Sequence, residues 1–123
     1  MGIQISTREA GGVSILDLVG SSTVDAGESE SLSKHLRNLT TAGKHKLLLN
    51  LTRLSRIASS GVSIFLEMFV SLKRIGGDLK LLRPRGRVLD VLTVFRLLDV
   101  IPSFEDEIQA LESFRPQSLF AAP

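Results

Sequence analysis

Two adjacent serines and a glycine, in Ile57-Ala58-Ser59-Ser60-Gly61-Val62, stand immediately before a strongly apolar run from Ile64 to Ile75. Hydroxyls at that place open two chemistries. A helix N-terminus leaves backbone N–H groups without intrahelical partners and carries partial positive charge. A serine there either caps the helix or presents its hydroxyl to receive a phosphoryl group, which a helix N-terminus accommodates. Capping is the more economical reading of the segment taken by itself.

Other reactive residue types form no converging set. His35 and His45 fall in no metal-ligand spacing, and neither has an evident acidic partner that would orient it toward Ser59 or Ser60 as a general base. The chain has no cysteine, which removes disulfides and thiolate metal sites. It has no G-x-x-x-x-G-K-[ST] loop and no dinucleotide-type glycine fingerprint. Asp17 reads as a strand surface charge and Asp25 as a loop residue. The basic cluster Arg83-Pro84-Arg85-Gly86-Arg87 has no tyrosine or tryptophan beside it, and Phe65, Phe69 and Phe95 fall on core-facing spacing. It reads as a solvated strand-to-helix loop, not a nucleic-acid platform. No catalysis, metal or cofactor is expected.

The elements that must hold these residues follow from patterning. The 123 residues, 43% hydrophobic and 23% charged, suit one domain with one core. A formal charge of +2 gives little pull on nucleic acid. The absence of a signal peptide or long apolar span predicts a cytoplasmic protein with no direct membrane insertion.

Ile3 to Arg8 and Val13 to Val19 alternate around Gly11-Gly12, the pattern of a β-hairpin. Glu28 to Leu39 places Leu32, Leu36 and Leu39 on one helical side, and Leu47 to Leu51 reads as a central strand covered on both faces. Thr52 to Ala58 is expected to be a loop leading to the second helix, which Gly76-Gly77 stops. Leu79 to Leu82 is a further inner strand. A third helix buries Val88, Val91, Leu92, Phe95 and Leu98. Val100-Ile101 makes a short edge strand limited by Pro102, and Glu105 to Phe114 closes the fold through Ile108, Leu111 and Phe114. Strands alternating with helices after a hairpin imply an α/β domain with a mixed sheet.

In this order, several segments resemble the STAS domain, and most closely the bacterial anti-sigma factor antagonists. Lys46 to Leu51 followed by Ile57 to Val62 is similar to the family's strand, loop and Asp-Ser-Ser-Gly-Leu signature. Gly76-Gly77-Asp78-Leu79-Lys80-Leu81 is similar to its Gly-Gly-x-Leu-x-Leu segment, and Val88 to Val100 to its penultimate helix and closing turn. The resemblance implies a STAS fold over residues 1–114, with a mixed four- to five-stranded sheet, about four helices and a flexible tail over residues 115–123. It implies a non-enzymatic protein that binds an anti-sigma factor of the serine-kinase type, freeing a sigma factor for transcription. In the family a kinase phosphorylates the motif serine and a phosphatase reverses it. That position falls on Ser59, with Ser60 as second choice. The implied partner surface takes in Thr23, Asp25, Arg56, Ala58, Ser59, Ser60, Gly61 and Val62.

Two residues depart from the pattern. Ala58 replaces the family's aspartate, and Gly20-Ser21-Ser22-Thr23 lacks the aspartate of its Gly-x-Leu-Asp turn. The missing carboxylate leaves two expectations open: weaker phosphorylation, or a domain that binds without being switched. The alternative function is a STAS subunit of a lipid-transport ABC system or a signalling scaffold.

Overall fold

The computed structural model describes the backbone of residues 3–22 and 26–115, and side chains over 3–20 and 31–115. The chain runs β1 (Ile3–Ala10), β2 (Val13–Ser22), α1 (Ala26–Thr41), β3 (Lys46–Ile57), α2 (Ser59–Arg74), β4 (Asp78–Leu82) and α3 (Gly86–Val94). A 3-10 turn (Leu97–Asp99), β5 (Ser103–Phe104) and α4 (Glu107–Glu112) complete it. Gly11 and Gly12 take φ values of 57° and 82°, the left-handed pair that a two-residue hairpin turn requires. The sheet has the order β1-β2-β3-β4-β5; β1 pairs antiparallel with β2 and the remaining pairs are parallel.

Alternation along β2 and β3 divides the core into two layers. Leu16, Leu18, Leu47, Leu49 and Leu51 pack with residues of α1, α2 and α3, including Leu36, Phe65 and Leu92. Val13, Ile15, Leu48 and Leu82 meet Ala110 and Phe114 at α4 on the opposite face. The leucine run of β3 is therefore buried on both sides, which explains its lack of polar alternation.

A six-residue helix is too short to hold itself, and side chains from the sheet anchor α4. Buried Lys80 donates to the carbonyl and the Oγ of Ser113, both at 2.8 Å, at the helix C-terminus, where a cation is favoured. Its Nζ lies 4.7 Å from the Phe114 ring centroid. Burial pushes the Lys80 ammonium below its ordinary pKa, opposed by Asp78. Near the other end of α4, Arg8 donates to Asp17 at 2.6 and 3.0 Å and to Glu107 at 3.0 Å. Asn50 adds a third donor to Asp17 at 2.6 Å.

Four sequence expectations change. Thr52 to Ile57 is strand, not loop. Relative to β2, the pairing of β3 slips twice, so Asp17–Val19 spans Asn50–Arg53 and Gly20–Ser21 spans Leu54–Arg56. Each slip adds one residue to β3, the signature of a β-bulge. Burial then recurs at Leu51, Leu54 and Ile57, a spacing of three that hides the strand. The third helix stops at Val94, leaving Phe95 54% exposed and Leu98 on the 3-10 turn. The edge strand lies at Ser103–Phe104, beyond Pro102, while Ile101 is buried in the main core. The last helix covers only Glu107–Glu112 and leaves Ile108 67% exposed.

Gly76-Gly77 ends α2 as expected. Gly76 is left-handed at φ 81°, and the Gly77 N–H reaches back to the Leu72 carbonyl at 2.7 Å, a Schellman arrangement. A Cβ on Gly77 would overlap the carbonyl oxygen of His45, which also accepts from Asp78 N–H. Gly77→Ala is expected to lose about 1–3 kcal/mol in chemical denaturation, the scale of a forced overpacking, whereas Gly11→Asn at the open hairpin turn is nearly neutral.

The Arg8 guanidinium holds the Asp17 carboxyl below its ordinary value of 3.8, so the ionised form favours folding. That contribution is full above the unfolded value and disappears as pH falls through the folded one. Asp17→Asn should therefore cost about 1 kcal/mol at pH 7. The gap to wild type should narrow in urea titrations below pH 3.8. A gap that stays constant down to strong acid contradicts the ion-pair assignment.

Candidate functional site

Ile57, the last residue of β3, seats against the chain that follows it. A Cβ on Gly61 would come within 2.8 Å of the Ile57 Cγ1, so glycine lets the first turn of α2 lie directly on that side chain. Val62 is buried in the core beside it. Gly61 and Val62 thus fix the turn, and Ser59 and Ser60 are left exposed at the first two positions of α2.

The structure decides against the serine cap. The N-cap is Ala58, with extended backbone (φ −88°, ψ 164°) and no side-chain hydrogen bond; its carbonyl accepts from Gly61 N–H at 2.9 Å and Val62 N–H at 3.2 Å. Ser59 has no hydrogen-bond partner among the described residues. The first turn of α2 contains no acidic side chain, while Lys73 and Arg74 occupy the last turn. Within α2 itself, the negative end of the dipole is therefore matched and the positive end is not.

Topology brings the end of β2 and Arg56 to the same edge. Ser22 pairs with Ile57, so the end of β2, from which Thr23 and Asp25 continue, lies beside the start of the turn. Thr23 and Asp25 themselves lie outside the described residues, as do residues 116–123 of the expected tail. Arg56 is exposed on β3, paired in register with Ser21. It is a strand residue, aimed outward by the second bulge.

Part of the basic cluster is built into the fold. Arg83 takes a left-handed backbone (φ 47°), its N–H donates to the Phe104 carbonyl at 2.8 Å and its Nε to the Glu105 carbonyl at 2.6 Å. Pro84 is buried, and Arg85 forms an exposed ion pair with Glu105 at 2.8 Å. Arg87 is exposed but belongs to the first turn of α3, so the expected loop is shorter than the basic cluster. Asp17, expected as a strand surface charge, instead joins Asn50 and Arg8 in a network that reaches Glu107 of α4. An isolated asparagine inside the Leu47–Leu51 run was the available signal, because a polar group in a covered strand requires a partner.

Neither histidine reaches the serines as part of a reacting set. The His35 Nε2 lies 3.1 Å from Thr7 Oγ1. His45 precedes the 12-residue β3 and Ser59 follows it. At ordinary strand rise they stand roughly 35 Å apart. Among the described residues, no three His, Cys, Asp or Glu side chains are grouped to hold a metal ion, and no helix is long and apolar enough to cross a membrane.

The family model of the STAS domain matches residues 4–110. The chain belongs to the STAS domain family. Solved structures share this fold at low sequence identity. An anti-sigma factor antagonist from Mycobacterium paratuberculosis superposes with a TM-score of 0.82 at 16% identity, covering 94% of this chain and 96% of that one. The anti-sigma factor antagonist SpoIIAA in its unphosphorylated form gives 0.70 at 21% identity, covering 91% and 96%. The Bacillus cell fate determinant SpoIIAA in its phosphorylated form gives 0.68 at 22% identity, covering 93% and 100%. No curated protein matches the chain in sequence.

In this STAS domain the N-cap of α2 carries no side-chain acceptor. Ala58→Asp supplies an acceptor for the first-turn amides and a charge at the positive helix end, so thermal melting should show a gain of about 1 kcal/mol, several degrees in Tm. An unchanged or lower Tm contradicts the assignment of Ala58 as an uncapped N-cap.

Proposed function

We propose that the chain is an anti-sigma factor antagonist that binds an anti-sigma factor of the serine-kinase type, freeing a sigma factor, with phosphorylation of Ser59 as the switch. The observation that carries this reading is an exposed Ser59, without a partner among the described residues, opening α2 of a STAS domain whose first turn holds no acidic side chain. Structural neighbours described as anti-sigma factor antagonists, one of them solved in both phosphorylation states, support it.

The contact surface is made by Arg56, Ala58, Ser59 and Ser60, with Thr23 and Asp25 from the adjoining stretch; Gly61 and Val62 hold the turn from beneath. A phosphoryl group on Ser59 adds about −1.5 to −2 charge. Helix amides and dipole favour an anion at that place, so the fold accepts it. The partner surface, packed against an uncharged serine, then meets a charge it must desolvate. Binding weakens while the domain stays folded. The protein acts in the cytoplasm, without catalysis or cofactor, and a serine phosphatase restores the binding form. Ala58 places no carboxylate next to the acceptor, so the kinase must recognise the remaining surface.

The test uses the serine-kinase anti-sigma factors encoded in the same genome. Incubation with the cognate kinase and ATP should add the mass of one phosphoryl group to wild type and none to Ser59→Ala. Ser59→Asp should bind that kinase at least about 10-fold more weakly, the equivalent of about 1.4 kcal/mol. A kinase that binds wild type without ever modifying it removes the switch, and equal affinity for Ser59→Asp removes the charge mechanism.

A further inference from the structure

Helices α1 and α2 leave between them an open groove of about 530 Å³, lined in part by Arg37, Ile64, Leu66, Glu67, Met68 and Val70. Ile64 and Met68 supply a buried apolar floor. Leu66 and Val70 are exposed, four residues apart and so one turn apart on the same side of α2. Two adjoining aliphatic side chains projecting beside an apolar groove make a contact surface of the kind that interfaces cover.

The charges around the groove indicate what covers it. Arg37 comes from α1 and Glu67 from α2, and both are exposed. They do not pair with one another: Arg37 donates to Ser33 Oγ at 2.8 Å, one turn away, and Glu67 has no partner among the described residues. A partner surface of one sign would neutralise one of these groups and leave the other desolvated beside it, which is costly. A surface carrying one cation and one anion around an apolar ridge satisfies both. This face itself has that composition.

We propose that the α1–α2 face is a homodimer contact in which a two-fold axis sets Arg37 against the partner's Glu67, and Glu67 against the partner's Arg37. A two-fold interface uses the same patch on both subunits, so each groove receives the Leu66–Val70 ridge of the other copy. The contact is separate from the Ser59 switch and stands whether or not Ser59 is modified.

Sedimentation equilibrium of the full chain, from about 1 μM to 1 mM, tests this directly. Wild type should shift from monomer to dimer within the range. Leu66→Glu and Val70→Glu should each weaken self-association at least about 10-fold. Both residues are exposed, so the variants should keep the wild-type melting curve at concentrations where wild type is monomeric. Arg37→Glu and Glu67→Arg should each weaken the dimer, and the combined exchange should recover about 10-fold over either single variant, since it restores both pairs with reversed sign. A chain that stays monomeric throughout, a Leu66→Glu dimer of unchanged strength, or a double exchange no better than the single ones overturns the proposal. The first of these results would assign the groove to a different partner.

Discussion

Strand β3 has to satisfy more neighbours than any other element. Its edges pair with β2 and β4, while its two faces lie against helices on opposite sides of the sheet. Leu47, Leu48 and Leu49 are fully buried as a result, in a run that tolerates neither a polar nor a truncated side chain cheaply. Beyond Leu82 the β4 partner ends, and β3 continues against β2 alone for seven residues past Asn50. Over this stretch the two bulges add residues without breaking the pairing. They keep Leu54 and Ile57 in the core and turn Arg53 and Arg56 outward. Ile57 then seats Gly61, and the start of α2 is fixed. The position of Ser59 is thus a consequence of how the central strand is buried.

The same geometry bears on how the fold would receive a charge at Ser59. Ser59 sits at the positive end of a 16-residue helix whose N-cap residue is an alanine and whose first turn lacks acid. Charge added there meets favourable helix electrostatics within the domain. Its unfavourable consequence falls on whatever packs against the outside. The Arg8–Asp17–Asn50 network and the Lys80–Ser113 contact hold α4 on the other face of the sheet. Their part is to keep that face closed.

The fold was legible where burial follows a simple period. The hairpin alternates, the leucine run of β3 is continuous, and the apolar residues of α2 recur at helical spacing up to Gly76. Legibility failed where the period changes. Leu51, Leu54 and Ile57 fit neither strand nor helix until the bulges supply the extra residues. Val100-Ile101 has the β-branched composition of a strand, yet pairing begins only after Pro102, which has no N–H to donate. Phe95 keeps helical spacing from Val91, but α3 has already ended. At the site, the serines and glycine were visible as a motif, and their division of labour was not. That Ala58 is the cap and Gly61 a packing position depends on contacts with Ile57 that spacing does not encode.

On the proposed mechanism, a negative charge on Ser59 alters the surface at the start of α2 and leaves the domain intact. Backbone amide chemical shifts and hydrogen exchange, compared between the unmodified and Ser59-phosphorylated chain, measure this most directly. Changes should be confined to residues 56–63 and the facing end of β2, with protection in β3, β4 and the body of α2 preserved. Loss of protection across the β3 core, or shifts spread through α3 and α4, would contradict it.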